Sequence, residues 1–175
     1  MSAGTSNAQP DPGPTRDASV VVARDDNGLV AVLSAHFPDH GGDYLFLPGG
    51  RREPDETPEE CARRELREES GVIAEVWRPL GSYALTLASP ARVHLYEARV
   101  LTCGPQELTP TEEDFTLTWW PMAEALHAAA RGRFLLPAGP LALFLAERAT
   151  RGGAVLVRPR PVSSVAASQG RPSCP

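Results

Sequence analysis

Three glutamates near the middle of the chain are spaced so that their carboxylates lie together on one helix. Glu65 and Glu69 are four residues apart, and Glu65 and Glu68 are three apart, so all three occupy neighbouring positions of one helical face. Carboxylates this close repel one another unless a cation binds between them. Oxygen ligands of this kind suit Mg²⁺ or Mn²⁺. We therefore predict that these glutamates bind a divalent metal ion.

The residues around these glutamates predict where their helix begins and ends. Thr57 is a good N-cap, Pro58 suits the first helical position, and Glu60 completes a capping box with Thr57. Gly71 fits a left-handed C-cap. These signals predict a helix over Pro58–Ser70.

The rest of the chain alternates between apolar runs typical of strands and two further helices. The Asn27-Gly28 pair between the first two runs predicts a β-hairpin. Strands, one helix, more strands and then two helices favour an α/β fold, with a mixed sheet between helices in an α/β/α sandwich. The predicted strands are residues 19–24, 29–34, 44–47, 73–83, 92–101 and 116–120, and the further helices are residues 121–131 and 140–150.

Both ends of the chain differ in composition from the middle. Residues 1–17 are rich in Pro, Gly, Ser and Thr, and residues 152–175 are mostly similar apart from one short apolar run. Such segments cannot bury a core, so we expect both to be disordered. One folded domain over residues 18–151 is the expected organisation.

Charge and cysteine content narrow the classes of partner and location. The formal net charge is −5 and no Lys/Arg cluster is present, so a nucleic-acid polymer is not expected as a partner. Three cysteines without metal-ligand spacing favour a reducing, cytoplasmic setting. No segment has the length of a membrane span or the pattern of a secretory signal. We expect a soluble cytoplasmic protein, either a monomer or a homodimer.

The 23 residues from Gly50 to Val72 fit the pattern Gly-x5-Glu-x7-Arg-Glu-U-x-Glu-Glu-x-Gly-U at all nine fixed positions, where U is a bulky apolar residue. This stretch resembles the Nudix box, and the chain is identified by it as a member of the Nudix hydrolase family. The resemblance implies the Nudix α/β/α sandwich. It also implies metal-dependent hydrolysis of a nucleoside diphosphate linked to another group, which yields a nucleoside monophosphate and the phosphate of that group.

The resemblance assigns roles to individual box residues. Glu65 and Glu69 match the carboxylates that usually bind metal in the family, and Glu68 matches the third. A backbone carbonyl at Gly49 or Gly50 often joins them, and we take Gly50 as that ligand. The same two glycines bring backbone close to a ligand, as phosphate-binding loops require, so both are also candidate substrate-binding residues.

Catalytic roles beyond metal binding are less completely defined. Arg64 matches a family arginine that braces the loop by ion pairing, and Glu56 matches a carboxylate that orients the turn. The family often takes its general base from a loop outside the box. Glu113, followed by an acidic and an apolar residue, resembles that position in ADP-ribose pyrophosphatases, with Glu112 as the second choice. If neither acts, Glu68 is the next candidate.

Segments after the box resemble the ADP-ribose pyrophosphatase branch of the family. They add Tyr83 and Pro90 as candidate substrate-binding residues, and they favour ADP-ribose or a related nucleotide sugar as substrate. The chain departs from that branch where Pro90 is followed by Ala91 rather than by glycine and an acidic insertion. A (d)NTP or dinucleoside polyphosphate hydrolase is the alternative. A non-catalytic Nudix sensor is a remote third reading, because sensors usually lose the box glutamates that this chain keeps.

Overall fold

The computed structural model describes residues 16–151, which contain seven strands, three α-helices and a short 3₁₀ turn at Pro38–His40. The strands are β1 Ala18–Ala23, β2 Leu29–Phe37, β3 Gly42–Phe46, β4 Gly49–Arg51, β5 Val72–Thr86, β6 Ser89–Cys103 and β7 Thr116–Pro121. The helices are α1 Pro58–Ser70, α2 Met122–Ala130 and α3 Ala138–Arg151.

The strands form two sheets. The larger has the order β4-β1-β6-β5 and is mixed, because β1 and β6 are parallel while the other pairs are antiparallel. The smaller is antiparallel, with the order β3-β2-β7. Helix α1 packs against β1, β4 and β5, and α3 packs against β1, β6 and β5. The predicted α/β class, with helices flanking mixed β structure, is confirmed.

Two apolar clusters lie on opposite sides of β1. Val21 packs with Ala62 and Leu66 of α1, whereas the next residue, Val22, packs with Leu95 and Leu143 on the side of α2 and α3. All six side chains are fully buried. Because successive strand residues point to opposite faces, β1 is a central strand that is covered on both sides. This double packing fixes where the loop before α1 can lie.

The predicted hairpin between β1 and β2 is wrong. The turn itself forms, since the N–H of Gly28 donates to the carbonyl of Asp25 at 3.1 Å. Arg24 and Val30 then form one isolated antiparallel β-bridge. Beyond that bridge the strands separate into different sheets. Strand β1 lies between β4 and β6, and strand β2 lies between β3 and β7. Both edges of each strand are therefore occupied, and β1 and β2 cannot pair further.

Two shorter differences concern the borders of the fold. Residues 49–51 form β4 rather than part of a turn, and they pair with the start of β1. Asp17, expected in the disordered N-terminal tail, belongs to the fold because its carboxylate accepts a hydrogen bond from the N–H of Arg92 at 2.9 Å. The predictions for residues 1–15 and 152–175 lie outside the described residues.

Candidate active site

Helix α1 carries the box glutamates, and its ends form as predicted. The N–H of Glu60 donates to the Thr57 hydroxyl at 3.2 Å, and the Glu60 carboxylate accepts from the N–H of Thr57 at 2.7 Å. Gly71 ends the helix with φ of 66° in the left-handed region. The buried face then combines apolar residues with two carboxylates, and it consists of Cys61, Ala62, Glu65, Leu66, Glu69 and Ser70.

Glu69 lies against the loop that precedes β4. Its side chain accepts a hydrogen bond from the N–H of Gly49 at 2.8 Å, and the residue is only 5% exposed. Burial raises the pKa of this carboxyl to about 9, although the Gly49 N–H opposes the shift. A buried carboxylate with one N–H partner gains stability when a cation binds to it.

Glu65 occupies the neighbouring position, against Gly50. A Cβ atom on Gly50 would collide with the Glu65 carboxylate, so glycine is required for this close approach. Glu65 is 8% exposed, and burial raises its pKa while the Arg64 guanidinium acts in the opposite direction. The two glycines and the two buried glutamates therefore form one contact between α1 and the loop before it.

Arg64 links the acidic residues of the loop and the helix. Its guanidinium donates to both carboxylate oxygens of Glu56, at 2.6 and 3.1 Å, to Glu65 at 2.9 Å and to Glu68 at 3.2 Å. The hydrogen bonds from Arg64 lower the pKa of Glu56, and the Glu56 carboxylate in turn raises the pKa of Arg64. This is the bracing geometry that the family resemblance implied for Arg64 and Glu56.

The donor atoms around Gly50 match the chemistry of a hard divalent cation. Glu65, Glu68 and Glu69 offer carboxylate oxygens and Gly50 offers its carbonyl, which Mg²⁺ and Mn²⁺ prefer. Within residues 16–151, no three His, Cys, Asp or Glu side chains stand close enough together to hold a metal ion as they are. In this structure Arg64 and the Gly49 N–H satisfy the carboxylates instead. The charge and burial of the donors fit the metal that the resemblance implies.

Cys61 lies on the same face of α1 but is unsuited to act as a nucleophile. Burial raises the pKa of its thiol to about 11. The sulfur lies 3.6 Å from the carbonyl oxygen of Gly50. A neutral, buried thiol packs and donates a weak hydrogen bond, but it does not attack substrate.

The loop before β7 carries both candidate general bases, Glu112 and Glu113. Burial is the main cause of the raised pKa of Glu65 and Glu69, and the negative charge of Glu112 adds to both shifts. The Glu112 carboxylate also accepts from the N–H of Thr109 at 3.0 Å. Glu113 is exposed. The choice between Glu113 and Glu112 as general base stays a prediction.

A cleft of about 430 Å³ adjoins this loop on the smaller sheet. The N–H of His36 donates to Asp114 at 3.3 Å, and its Nδ1 lies 2.7 Å from Asp43. Tyr44 and Arg133 also line the cleft. Sequence reasoning gave His36 no role and did not single out Asp43, Asp114 or Arg133. The pairing of β2 with β3 sets His36 opposite Asp43. The loop before β7 brings Asp114 to His36, and Arg133 arrives through its hydrogen bond to Leu45.

Tyr83 and Pro90 lie away from the box. Across the larger sheet, Tyr83 of β5 lies opposite Val93 of β6, Val93 lies opposite Ala18 of β1, and Ala18 lies opposite Arg51 of β4. Three strand spacings separate Tyr83 from Arg51, or about 14 Å at 4.8 Å per strand. Pro90 is exposed near the tip of the β5–β6 hairpin. The role of both residues in substrate binding stays a prediction.

Comparisons with known proteins agree with this geometry. The family model described as NUDIX domain matches residues 13–136. An ADP-ribose pyrophosphatase of Mycobacterium tuberculosis (strain ATCC 25618 / H37Rv) is 31% identical over 150 residues, 84% of this chain and 71% of that protein. A CMP-5'-(N-acetyl-N-hydroxy-3-aminopropyl)phosphonate hydrolase of Streptomyces rubellomurinus (strain ATCC 31215) is 31% identical over 121 residues, 66% of this chain and 56% of that protein.

A solved structure shares the fold. The crystal structure of an ADP compounds hydrolase superimposes with a TM-score of 0.69 at 24% identity, over 80% of this chain and 76% of that one. No helix within residues 16–151 is long and apolar enough to cross a membrane. The matching family model, the relatives and the box geometry together show that this chain belongs to the Nudix hydrolase family.

Proposed function

We propose that this chain is a metal-dependent pyrophosphohydrolase of ADP-ribose or a related nucleotide sugar. Its products would be a nucleoside monophosphate and the phosphate of the second group. The observation that carries the proposal is the placement of Glu65 and Glu69, both buried, against the backbone of Gly49 and Gly50. Likeness to an ADP-ribose pyrophosphatase over 84% of the chain supports the choice of substrate.

The residues that would hold Mg²⁺ or Mn²⁺ are Glu65, Glu68 and Glu69 with the carbonyl of Gly50. The bound ion would neutralise charge on the pyrophosphate and lower the pKa of a water molecule. Arg64 keeps the loop and the helix in register through its ion pairs with Glu56, Glu65 and Glu68. Loss of this brace is expected to displace the carboxylates rather than remove them.

Glu112 is the candidate general base. It lies outside α1, and its negative charge adds to the raised pKa of both buried box glutamates. A carboxylate in this position can take the proton of an attacking water on one of its oxygens. Thr109 holds that carboxylate through its backbone N–H and its hydroxyl, at 3.0 and 2.8 Å. Closure of the 109–115 loop over substrate would shorten the remaining distance.

The cleft beside the loop offers groups suited to the nucleoside and sugar parts of such a substrate. Asp43 and Asp114 supply carboxylates that accept hydrogen bonds from sugar hydroxyls, and Arg133 supplies a cation for phosphate. Tyr44 supplies an aromatic ring. A volume of about 430 Å³ lies within the range of small-molecule sites.

The deciding experiment is a substrate screen with Mg²⁺ or Mn²⁺ over ADP-ribose, nucleotide sugars, NTPs and dinucleoside polyphosphates. Products are treated with a phosphatase, because cleavage of ADP-ribose leaves two phosphate monoesters and no free phosphate. We expect phosphate release from ADP-ribose only when the phosphatase and the metal are both present. Faster turnover of NTPs or dinucleoside polyphosphates would replace the proposed substrate class while keeping the metal site.

A matched pair of variants tests whether the box performs this chemistry. Glu65→Gln removes a buried box carboxylate. Glu59→Gln removes an exposed carboxylate of the same helix that pairs only with Arg63 among the described residues. Activity should fall strongly in the first variant and stay near normal in the second. Equal activity in both variants would contradict the assigned site.

A further inference from the structure

A second cleft lies on the outer side of α1, where the helix meets the start of β5. It has a volume of about 330 Å³, and its lining includes Arg63, Arg64, Arg67, Ile73, Ala74 and Trp77. We call it the arginine groove. Of the residues assigned to the active site, only Arg64 lines it. The proposed reaction does not use the remaining lining residues.

The charge of the arginine groove is opposite to that of the chain. The formal net charge of the protein is −5, yet three arginines and no carboxylate line the groove. A basic lining in an acidic protein favours an anionic ligand. Arginine pairs with phosphate through two parallel hydrogen bonds, which makes phosphate a suitable anion.

The present partners of the two outer arginines are easily exchanged. Arg63 pairs with Glu59 at 2.8 Å, and the two side chains are 45% and 44% exposed. Arg67 pairs with Glu68 at 3.5 Å and with Glu107 at 3.7 Å. Ion pairs with this exposure contribute little to stability. A phosphate group could therefore replace these carboxylates at small cost.

An aromatic and apolar surface stands next to the arginines. The guanidinium carbon of Arg63 lies 4.6 Å from the centre of the Trp77 ring. The indole N–H of Trp77 donates to the carbonyl of Ala74 at 3.0 Å, which fixes the plane of the ring. Ile73 is 58% exposed at the same groove. In the structure the Arg63 guanidinium covers this face of the indole. A nucleobase stacks there when Arg63 turns from the ring to the phosphate.

We propose that the arginine groove binds a nucleoside monophosphate, with the phosphate on Arg63 and Arg67 and the base against Trp77 and Ile73. Inorganic phosphate would use only the arginine half of the groove and should bind more weakly. The proposal does not depend on the proposed reaction, because binding needs neither metal nor turnover. The same groove contacts the active site through Arg67, whose guanidinium reaches Glu68.

The test is a titration of the full chain with AMP in the presence of EDTA, followed by tryptophan fluorescence and by calorimetry. We expect saturable binding and a change in fluorescence that disappears in Trp77→Phe. Arg63→Gln should weaken AMP binding about tenfold or more, since a charge-assisted hydrogen bond is lost. Arg63→Lys, which keeps the charge but not the two-pronged geometry, should fall between Arg63→Gln and wild type.

The matched control is Arg148→Gln. Arg148 is also an arginine over an aromatic ring, with its guanidinium carbon 6.0 Å from the centre of Phe144 on α3, but it lies outside the groove. This variant should bind AMP like wild type, and circular dichroism should show that every variant is folded. AMP binding that survives Arg63→Gln, equal affinity for phosphate and AMP, or binding of an acidic peptide without AMP binding would each overturn the proposal.

Discussion

Glu65 and Glu69 are the proposed metal ligands that the fold buries on one face of α1. Burial disfavours the charged form of a carboxyl, and it raises the pKa of Glu69 to about 9 when no cation is present. The cost of burying two carboxylates is not offset by Arg64 and one backbone N–H alone. A divalent cation would supply the missing charge, and this supports the proposed metal site.

Replacement of Glu69 by Gln should lower kcat on the true substrate by on the order of 10²-fold or more, with a much smaller change in KM. Glutamine keeps the size of the side chain and can still accept from the Gly49 N–H, but it loses the charge that holds metal. The loss falls on transition-state stabilisation rather than on recognition of the base. Steady-state kinetics at saturating Mg²⁺ measure both constants. A near-normal kcat would remove Glu69 from the metal site.

The choice of general base separates two adjacent residues. Glu112→Gln should lower kcat on ADP-ribose by about 10²–10⁴-fold, the range for loss of a general base. Glu113→Gln should have little effect, because Glu113 is exposed. Metal affinity should stay near normal in both variants. If Glu113 has the larger effect, the 109–115 loop rearranges on substrate binding. If neither matters, Glu68 becomes the base and the likeness to ADP-ribose pyrophosphatases loses mechanistic support.

The bounds of a helix or strand depend on nearby residues, whereas the pairing of strands depends on distant ones. The bounds of α1 were predicted correctly because Thr57, Glu60 and Gly71 act within one or two turns of the helix. The β1–β2 hairpin was predicted from an equally local signal, yet the turn leads into two different sheets. Strand partners depend on which edges are already occupied, and that is settled by residues far away in the chain. Local patterns predicted the elements and missed their pairing.

The start of β1 is tied to two other strands through Asp17. The Asp17 carboxylate accepts a hydrogen bond from the backbone N–H of Arg92 in β6 and lies 3.2 Å from Nε2 of His94. The backbone carbonyl of Asp17 accepts from the N–H of Arg52, which follows β4. The Arg92 N–H is the main cause of a pKa for Asp17 below its ordinary value of 3.8, although partial burial opposes it. The ionised carboxylate therefore stabilises the folded state.

Replacement of Asp17 by Asn should lower the free energy of unfolding by about 1 kcal/mol at pH 7. Because the pKa is lower in the folded protein, this contribution is present above the ordinary pKa and disappears as the pH falls through the folded value. The difference between wild type and variant should therefore close as the pH falls below the pKa of Asp17 in the folded protein. Urea unfolding at several pH values measures it. Asp26→Asn, at an exposed turn residue, is the control, and an equal pH dependence in both variants would contradict the assigned contact.

At the scale of the whole molecule, the site forms where segments far apart in sequence converge. The helix face that carries the proposed metal ligands could be predicted, since its residues lie within one short stretch. The cleft of Asp43, Asp114 and Arg133 could not, because it depends on the pairing of β2 with β3 and on the path of the loop before β7. The substrate-binding role predicted for Tyr83 stays a prediction. Oligomeric state and cytoplasmic location stay predictions, as do the domain limits at residues 18 and 151.

The final prediction concerns the two ends of the chain. Deletion of residues 1–15 and 160–175 should change the free energy of unfolding by less than about 1 kcal/mol and leave kcat near the full-length value, because segments of this composition bury little apolar surface. The N-terminal deletion keeps Asp17, whose contacts the fold needs. Thermal unfolding, kinetics and light scattering of the shortened protein provide the measurement, with a deletion of residues 1–17 as the control that should lose stability. A large loss of stability, or a change in oligomeric state, in the shorter deletion would show that an end segment packs on the fold or on a second subunit.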